Sequence, residues 1–182
     1  MLRHRRKLAS VVVALTLLFM SRGSGTSVVY AIPCGLNCEN ITNTPTASVI
    51  LNGSDQTASY VLTFSLNNTL SLSWHVSITS TQFATGGTPK RTLPTAASSI
   101  TGVTAVCATG QICTALPQNT VTYPLIVPAG NPAPTGVTFY NDQQTTGIGT
   151  FDVSTTIHIS VPANAYSGTY TSTITLAFAS GP

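Results

Sequence analysis

The sequence predicts an all-β fold: a single antiparallel β-sandwich with short strands and Pro/Gly-rich loops. Three observations carry this. Apolar residues recur at every second position in several separate stretches, a period that only an extended strand turns into one apolar and one polar face. Turn formers such as Asn52-Gly53, Gly86-Gly87 and Asn164 to Gly168 separate those stretches. Beyond residue 31 no segment carries a helical period, and many short strands without helices point to packed antiparallel sheets.

The strongest alternation runs from Thr57 to Phe83. Tyr60, Leu62, Phe64 and Leu66 share one face, and so do Leu70, Leu72, Trp74, Val76 and Ile78. Ser71, Ser73, His75, Ser77 and Thr79 take the opposite face of the second half. Asn67-Asn68 lies between the halves, and Asn tolerates the positive φ of a tight turn, so the stretch predicts a hairpin. It carries the single tryptophan of the 182 residues.

The N-terminus has the form of an export signal. Arg3, Arg5, Arg6 and Lys7 make a basic head, and Leu8 to Met20 is an apolar run short for a membrane span. Val29-Tyr30-Ala31 offers small residues for cleavage after Ala31; an uncleaved anchor is the alternative. Cys34 lacks the preceding Leu-x-x of a lipid-anchored protein. The organisation expected is therefore 1–31 signal peptide, 32–46 loop-like leader and 47–182 sandwich domain. Secretion to the cell surface follows, with no membrane contact after cleavage.

Removing the signal reverses the charge balance. Lys90 and Arg91 then face Glu39, Asp55, Asp142 and Asp152, two bases against four acids. That composition excludes a basic nucleic-acid footprint and a polybasic membrane patch. Charged residues make up only 6% of the chain, so the surface is expected to be neutral and hydroxyl-rich. Four cysteines in an exported chain suggest disulfides, with three pairings open. Cys34–Cys38 and Cys107–Cys113 are preferred because each is local, and such short loops contribute roughly 2 kcal/mol at most. Neither spacing suits zinc, and no metal or other cofactor is expected.

The remaining elements follow in order. Ala47 to Leu51 reads as a short strand closed by Asn52-Gly53, and Ile100 to Cys107 as another. Val121 to Val127 contains Pro124 and is expected at a sheet edge. Residues 128–136, with three prolines and two glycines, read as a stiff loop, and Val137 to Tyr140 as extended. Two long strands finish the chain. One alternates Phe151, Val153, Ile157, Ile159 and Val161 with polar residues; the other alternates Tyr170, Ile174, Leu176 and Phe178.

Trp74-His-Val-Ser-Ile-Thr-Ser-Thr-Gln-Phe83 resembles the first signature of WxL-domain surface proteins of Gram-positive-type bacteria. Gly147-Ile-Gly149-Thr-Phe151, Val161-Pro162 and Gly168 to Thr175 resemble the approach to the second signature. The resemblance covers roughly residues 47–182. It departs from the family at Val76, which replaces leucine, and at Leu176-Ala177-Phe178, where the second tryptophan is missing. The family attaches non-covalently to the cell wall, so the resemblance implies peptidoglycan or another wall polymer as partner. Trp74 and Val76 are the residues it carries over.

Two roles are open to Trp74. A tryptophan between Leu72 and Val76 in an apolar stripe ordinarily packs in the core, whereas an exposed indole could stack on a sugar ring. Tyr140, Tyr166 and Tyr170 are further aromatic candidates. Lys90 and Arg91 could form charge-assisted bonds to a wall carboxylate or phosphate, or be an ordinary solvated pair. Asn40, Asn52 and Asn67 match glycosylation acceptors but read as turn asparagines. An enzyme would need His75, His158 and Asp152 to converge; no Gly-x-Ser-x-Gly or His-x-x-x-His pattern supports one, and no catalysis is expected. The alternative to wall binding is a structural or adhesive subunit that meets other surface proteins through exposed strand edges.

Overall fold

The computed structural model describes residues 9–20, 38–41, 45–68, 72–143 and 146–181. Twelve strands account for its regular structure, and no helix among the described residues is long and apolar enough to cross a membrane. In chain order they are β1 (Ala9–Met20), β2 (Cys38–Ile41), β3 (Thr46–Ile50), β4 (Gln56–Asn68), β5 (Trp74–Thr81) and β6 (Ala84–Thr85). The second half supplies β7 (Ser98–Cys107), β8 (Leu125–Ile126), β9 (Ala129–Gly130), β10 (Val137–Asp142), β11 (Gly149–Val161) and β12 (Gly168–Ser180).

Two sheets form a sandwich. One runs β10-β5-β12-β1-β3, with β6 added on β12 and β9 on β5; the other runs β2-β4-β11-β7-β8. The long pairs are antiparallel, while β1–β3 and β5–β9 are parallel. The core is the sum of the alternations read from the sequence. Leu62, Phe64, Leu66, Phe151, Val153, Ile157 and Ile159 come from one sheet; Trp74, Val76, Ile78, Tyr170, Ile174 and Leu176 come from the other.

The hairpin expected around Asn67-Asn68 does not form. β4 pairs with β11 and β2, while β5 pairs with β12 and β10 in the opposite sheet. Asn67 and Asn68 stay in the β4 ladder, opposite Thr150 and Gly149, and the buried Asn68 amide donates to the Gly147 carbonyl at 2.6 Å. The chain arches from sheet to sheet instead. Trp74, Val76 and Ile78 are buried as a hairpin would also bury them, so their periodicity could not separate the two; Leu72, expected on the same face, precedes β5 and is 52% exposed.

The N-terminal third also departs from expectation. Ala9–Met20, the apolar core of the expected export signal, is a strand between β12 and β3. Within the expected loop-like leader, Cys38–Ile41 pairs with β4. The cleavage site after Ala31 and Cys34, hence the proposed Cys34–Cys38 bridge, lie outside the described residues. Of the three possible acceptor asparagines, only Asn52 sits in a turn, where its Oδ1 accepts from the Ser54 N–H; Asn40 and Asn67 are in strands.

The rest of the reading agrees in outline, except that the strand expected over Val121 to Val127 is confined to β8 and the loop expected over 128–136 contains β9. Pro124 precedes a two-residue strand, β8, at the edge of its sheet, where a missing N–H is tolerated. Cys107 and Cys113 are bridged across the turn after β7. Gly149, at φ +137°, lets the chain enter β11 against that bridge: a Cβ there would lie 2.8 Å from Cys113 Sγ.

Candidate functional site

Trp74 and Val76 point into the core from β5 and are 2% and 1% exposed. The indole packs edge-on to Tyr140, with centroids 5.4 Å apart, and stacks on Phe178 at 5.7 Å. One ring contact is stacked and the other T-shaped, and with the side chain 2% exposed, packing is the role the structure favours for Trp74 of the two open from sequence. Its Nε1 has no hydrogen-bond partner among the described residues, an unusual cost for a buried donor. Tyr140 is buried as well, and burial first, then the nearby Tyr123 and Asp142, raises its hydroxyl pKa far above the ordinary value.

A cleft of about 380 Å³ opens beside this end of the sandwich, lined by His75, Thr120, Val121, Thr138, Asn141, Gln143 and Gly181 around the edge of Trp74. Its floor is already committed to internal bonds. Asn141 Oδ1 accepts the Thr120 N–H at 2.9 Å, and Asn119 Oδ1 accepts the Asn141 N–H at 3.2 Å. The wholly buried Asp142 accepts the Gly147 N–H at 2.7 Å. These groups fasten the 117–123 loop to β10. Their polar sequence, Tyr-Asn-Asp at a strand end, reads as a turn, so the burial of Asn141 and Asp142 was not legible beforehand.

Lys90 and Arg91 belong to a different surface. Residues 86–91 form a small loop held at its base, where the Thr85 N–H donates to the Arg91 carbonyl at 2.9 Å and the Arg91 N–H donates to Thr85 Oγ1 at 3.0 Å. Leu93, 1% exposed, anchors the return of the loop, and its carbonyl accepts from the Gln82 amide at 2.6 Å. β6 pairs with the start of β12, placing Thr85 opposite Tyr170. The loop therefore lies against the turn between β11 and β12.

That turn carries Tyr166. The Arg91 guanidinium sits 3.8 Å above the Tyr166 ring centroid, within cation–π range. The Tyr170 hydroxyl donates to the Tyr166 carbonyl at 3.2 Å, and the Ala165 N–H donates to the Pro162 carbonyl at 2.9 Å, which fixes the turn. Burial raises the Tyr170 hydroxyl pKa, with the Tyr166 bond and the Arg91 charge working against it. Asp55 accepts the Ala163 N–H at 2.8 Å beside the turn. The result is a groove of about 280 Å³ lined by Lys90, Arg91, Thr92, Leu93, Pro162, Asn164, Ala165, Tyr166 and Tyr170, none of them acidic. Arg91 and Tyr166 were each candidates from sequence; only the fold brings them together.

The three residues of the imagined catalytic group do not converge. His75 lies on β5, its Nδ1 3.3 Å from the Gly181 carbonyl oxygen. His158 and Asp152 lie on β11 in the other sheet, six positions apart on an extended strand, which is roughly 20 Å. The Asp152 carboxylate accepts from Ser65 Oγ at 2.7 Å. Among the described residues no cluster of three or more His, Cys, Asp or Glu could hold a metal ion.

Fold and groove together define a class: a β-sandwich whose built surface feature is a cation–aromatic groove. No family model, no curated protein and no solved structure matches the chain.

Proposed function

We propose that this chain is an exported, non-catalytic cell-surface module that associates non-covalently with the bacterial cell wall, and that Lys90, Arg91 and Tyr166 make the contact. One observation carries the reading: the two basic residues that follow the export signal share a groove with an exposed tyrosine, and no acid lines it. Such a groove offers charge-assisted bonds to a stem-peptide carboxylate or wall phosphate. It also offers an aromatic edge and backbone polar groups to a sugar. The WxL-like order of strand and turn signals supports the same partner, with Trp74 and Val76 acting as fold residues rather than contacts. Export through the N-terminal segment is part of the proposal.

The test is sedimentation with purified peptidoglycan sacculi. Secreted protein should pellet saturably and be released by moderate salt, because exposed charges are screened within about 8–10 Å at such ionic strengths. A Lys90→Gln/Arg91→Gln variant should stay in the supernatant, while folded Trp74→Phe should pellet like the parent. Failure of the folded parent to pellet would remove the wall-binding reading.

A second reading, a subunit of a surface assembly, is favoured by one feature. Val106, Ile112 and the edge-strand residue Ile126 are exposed large apolar side chains, and Val106 and Ile112 each precede a cysteine of the disulfide. Residues of this kind suit a protein contact.

A further inference from the structure

β12 lies at the middle of its sheet, and one of its two edges is satisfied by the N-terminal segment alone. β1 runs antiparallel to β12 from the Ala9↔Phe178 pair to the Phe19↔Gly168 pair. On its other side it is parallel to β3, from Thr16↔Thr46 to Met20↔Ile50, and β3 has no other neighbour in that sheet. These residues also lie within Leu8 to Met20, the apolar run that the sequence reads as the core of an export signal. The two roles conflict. Processing would bare one edge of β12 along most of its length and disconnect β3.

We propose that the gap between β12 and β3 is a strand-acceptor slot. Ala9–Met20 occupies it in the intact chain, and an uncharged apolar extended segment of a partner polypeptide occupies it once that segment is removed. The register defines the partner. Val11, Val13, Leu15 and Leu17 stand opposite Leu176, Ile174, Ser172 and Tyr170, which are at most 3% exposed. The intervening positions stand opposite Thr175, Thr173, Thr171 and Thr169, which are exposed or half-buried. Directly opposed residues share one face of an antiparallel pair. The partner strand therefore needs four apolar residues at alternate positions, tolerates polar residues between them, and runs antiparallel to β12 and parallel to β3. Main-chain bonding to a bare edge supplies affinity and the alternate side chains supply selectivity. The vacating of the slot rests on the proposed export, but the slot shares no residue with the Arg91 groove, so wall binding and strand uptake can fail separately.

The experiment starts from the full chain with a protease site inserted in the 21–37 connection, folded and then cut. Native mass spectrometry should find the N-terminal segment still bound to the body. An excess of dye-labelled peptide of residues 8–21 should replace it one for one. The same peptide carrying Val13→Asp and Leu17→Asp should bind at least about 100-fold more weakly, because each carboxylate would stand opposite a buried residue of β12, Ile174 or Tyr170. Release of the segment on cutting, with an unchanged circular dichroism spectrum and melting temperature and no peptide uptake, would overturn the proposal.

The uncut chain provides a second route should the insertion prevent folding. A Val13→Cys/Ile174→Cys variant should form a cross-link located by peptide mapping. A cross-link between two copies would equally support the slot and would name a second copy as occupant. A folded variant whose introduced thiols both react freely with a reagent would overturn it.

Discussion

Trp74→Phe separates a structural indole from a ligand-stacking one, and its effect can be worked from the surroundings. The ring is buried between Tyr140 and Phe178. Phenylalanine keeps an aromatic ring against both neighbours but removes roughly 40 Å³ of side chain, which at about 24 cal/mol per Å³ of cavity costs about 1 kcal/mol. Lost apolar burial adds about 1 kcal/mol. Against these, the indole N–H has no partner, and deleting a buried unsatisfied donor recovers about 1–3 kcal/mol. The terms cancel to within about 1 kcal/mol. Trp74→Ala loses both aromatic contacts and leaves a far larger void, for a net cost of about 3 kcal/mol. Urea titration followed by far-UV circular dichroism measures both variants, since neither retains tryptophan fluorescence. Two results would refute the reasoning. A Trp74→Phe cost equal to that of Trp74→Ala would show that the N–H is satisfied. A stable Trp74→Phe that no longer pellets with sacculi would show that the indole itself meets the ligand.

Further expectations concern the disulfide end, the buried acid and alkaline stability. Replacing Cys107 and Cys113 by serine should cost about 2 kcal/mol in denaturant titration, from the entropy of the loop they close. Gly149→Ala should cost at least about 2 kcal/mol, and Cys113→Ser should not rescue it, because Cys113 Cα and the Ile112 carbonyl oxygen also lie 3.0 Å from the added Cβ. Asp142→Ala strands the Gly147 N–H and should lower stability by about 2 kcal/mol, whereas Asp142→Asn, which keeps one carbonyl oxygen, should lose less. Burial raises the hydroxyl pKa of Tyr60 far above 10.0 in the folded chain. The unfolded chain ionises that group first, so this stability is complete below about pH 10 and falls as pH rises beyond it. Tyr60→Phe should move the midpoint of alkaline unfolding upward, read by circular dichroism.

Much of the fold was legible because an alternating strand announces its buried face. The alternations from Phe151 to Val161 and from Tyr170 to Leu176 match β11 and β12, and the stripe around Trp74 is buried from Trp74 to Ile78 though not at Leu72. Pairing was less legible. Period two states which residues go inward and is silent about which strand lies alongside, so β4 and β5 were joined as a hairpin although they face each other across the core. The apolar run ending at Met20 reads as an export signal, and nothing local in it announces that Ala9–Met20 pairs with β12 and β3. The groove was least legible. Arg91 and Tyr166 are distant in sequence, and they meet only because β6 pairs with the start of β12. The burial of Asn141 and Asp142 likewise depends on a loop that packs back over β10.

The central place of β12 also governs the order in which the molecule can be assembled during synthesis. Gly168–Ser180 follows every other described strand, yet β1, β5 and β6 all need it as a neighbour. The ribosome therefore delivers most of one sheet before the strand that joins it exists. Chains generally fold as they emerge when early segments are self-sufficient. Here the early strands lack their template, so this sheet stays open until translation has passed Ser180. The export proposed above calls for a chain still extended at that point, and such a delay would supply one.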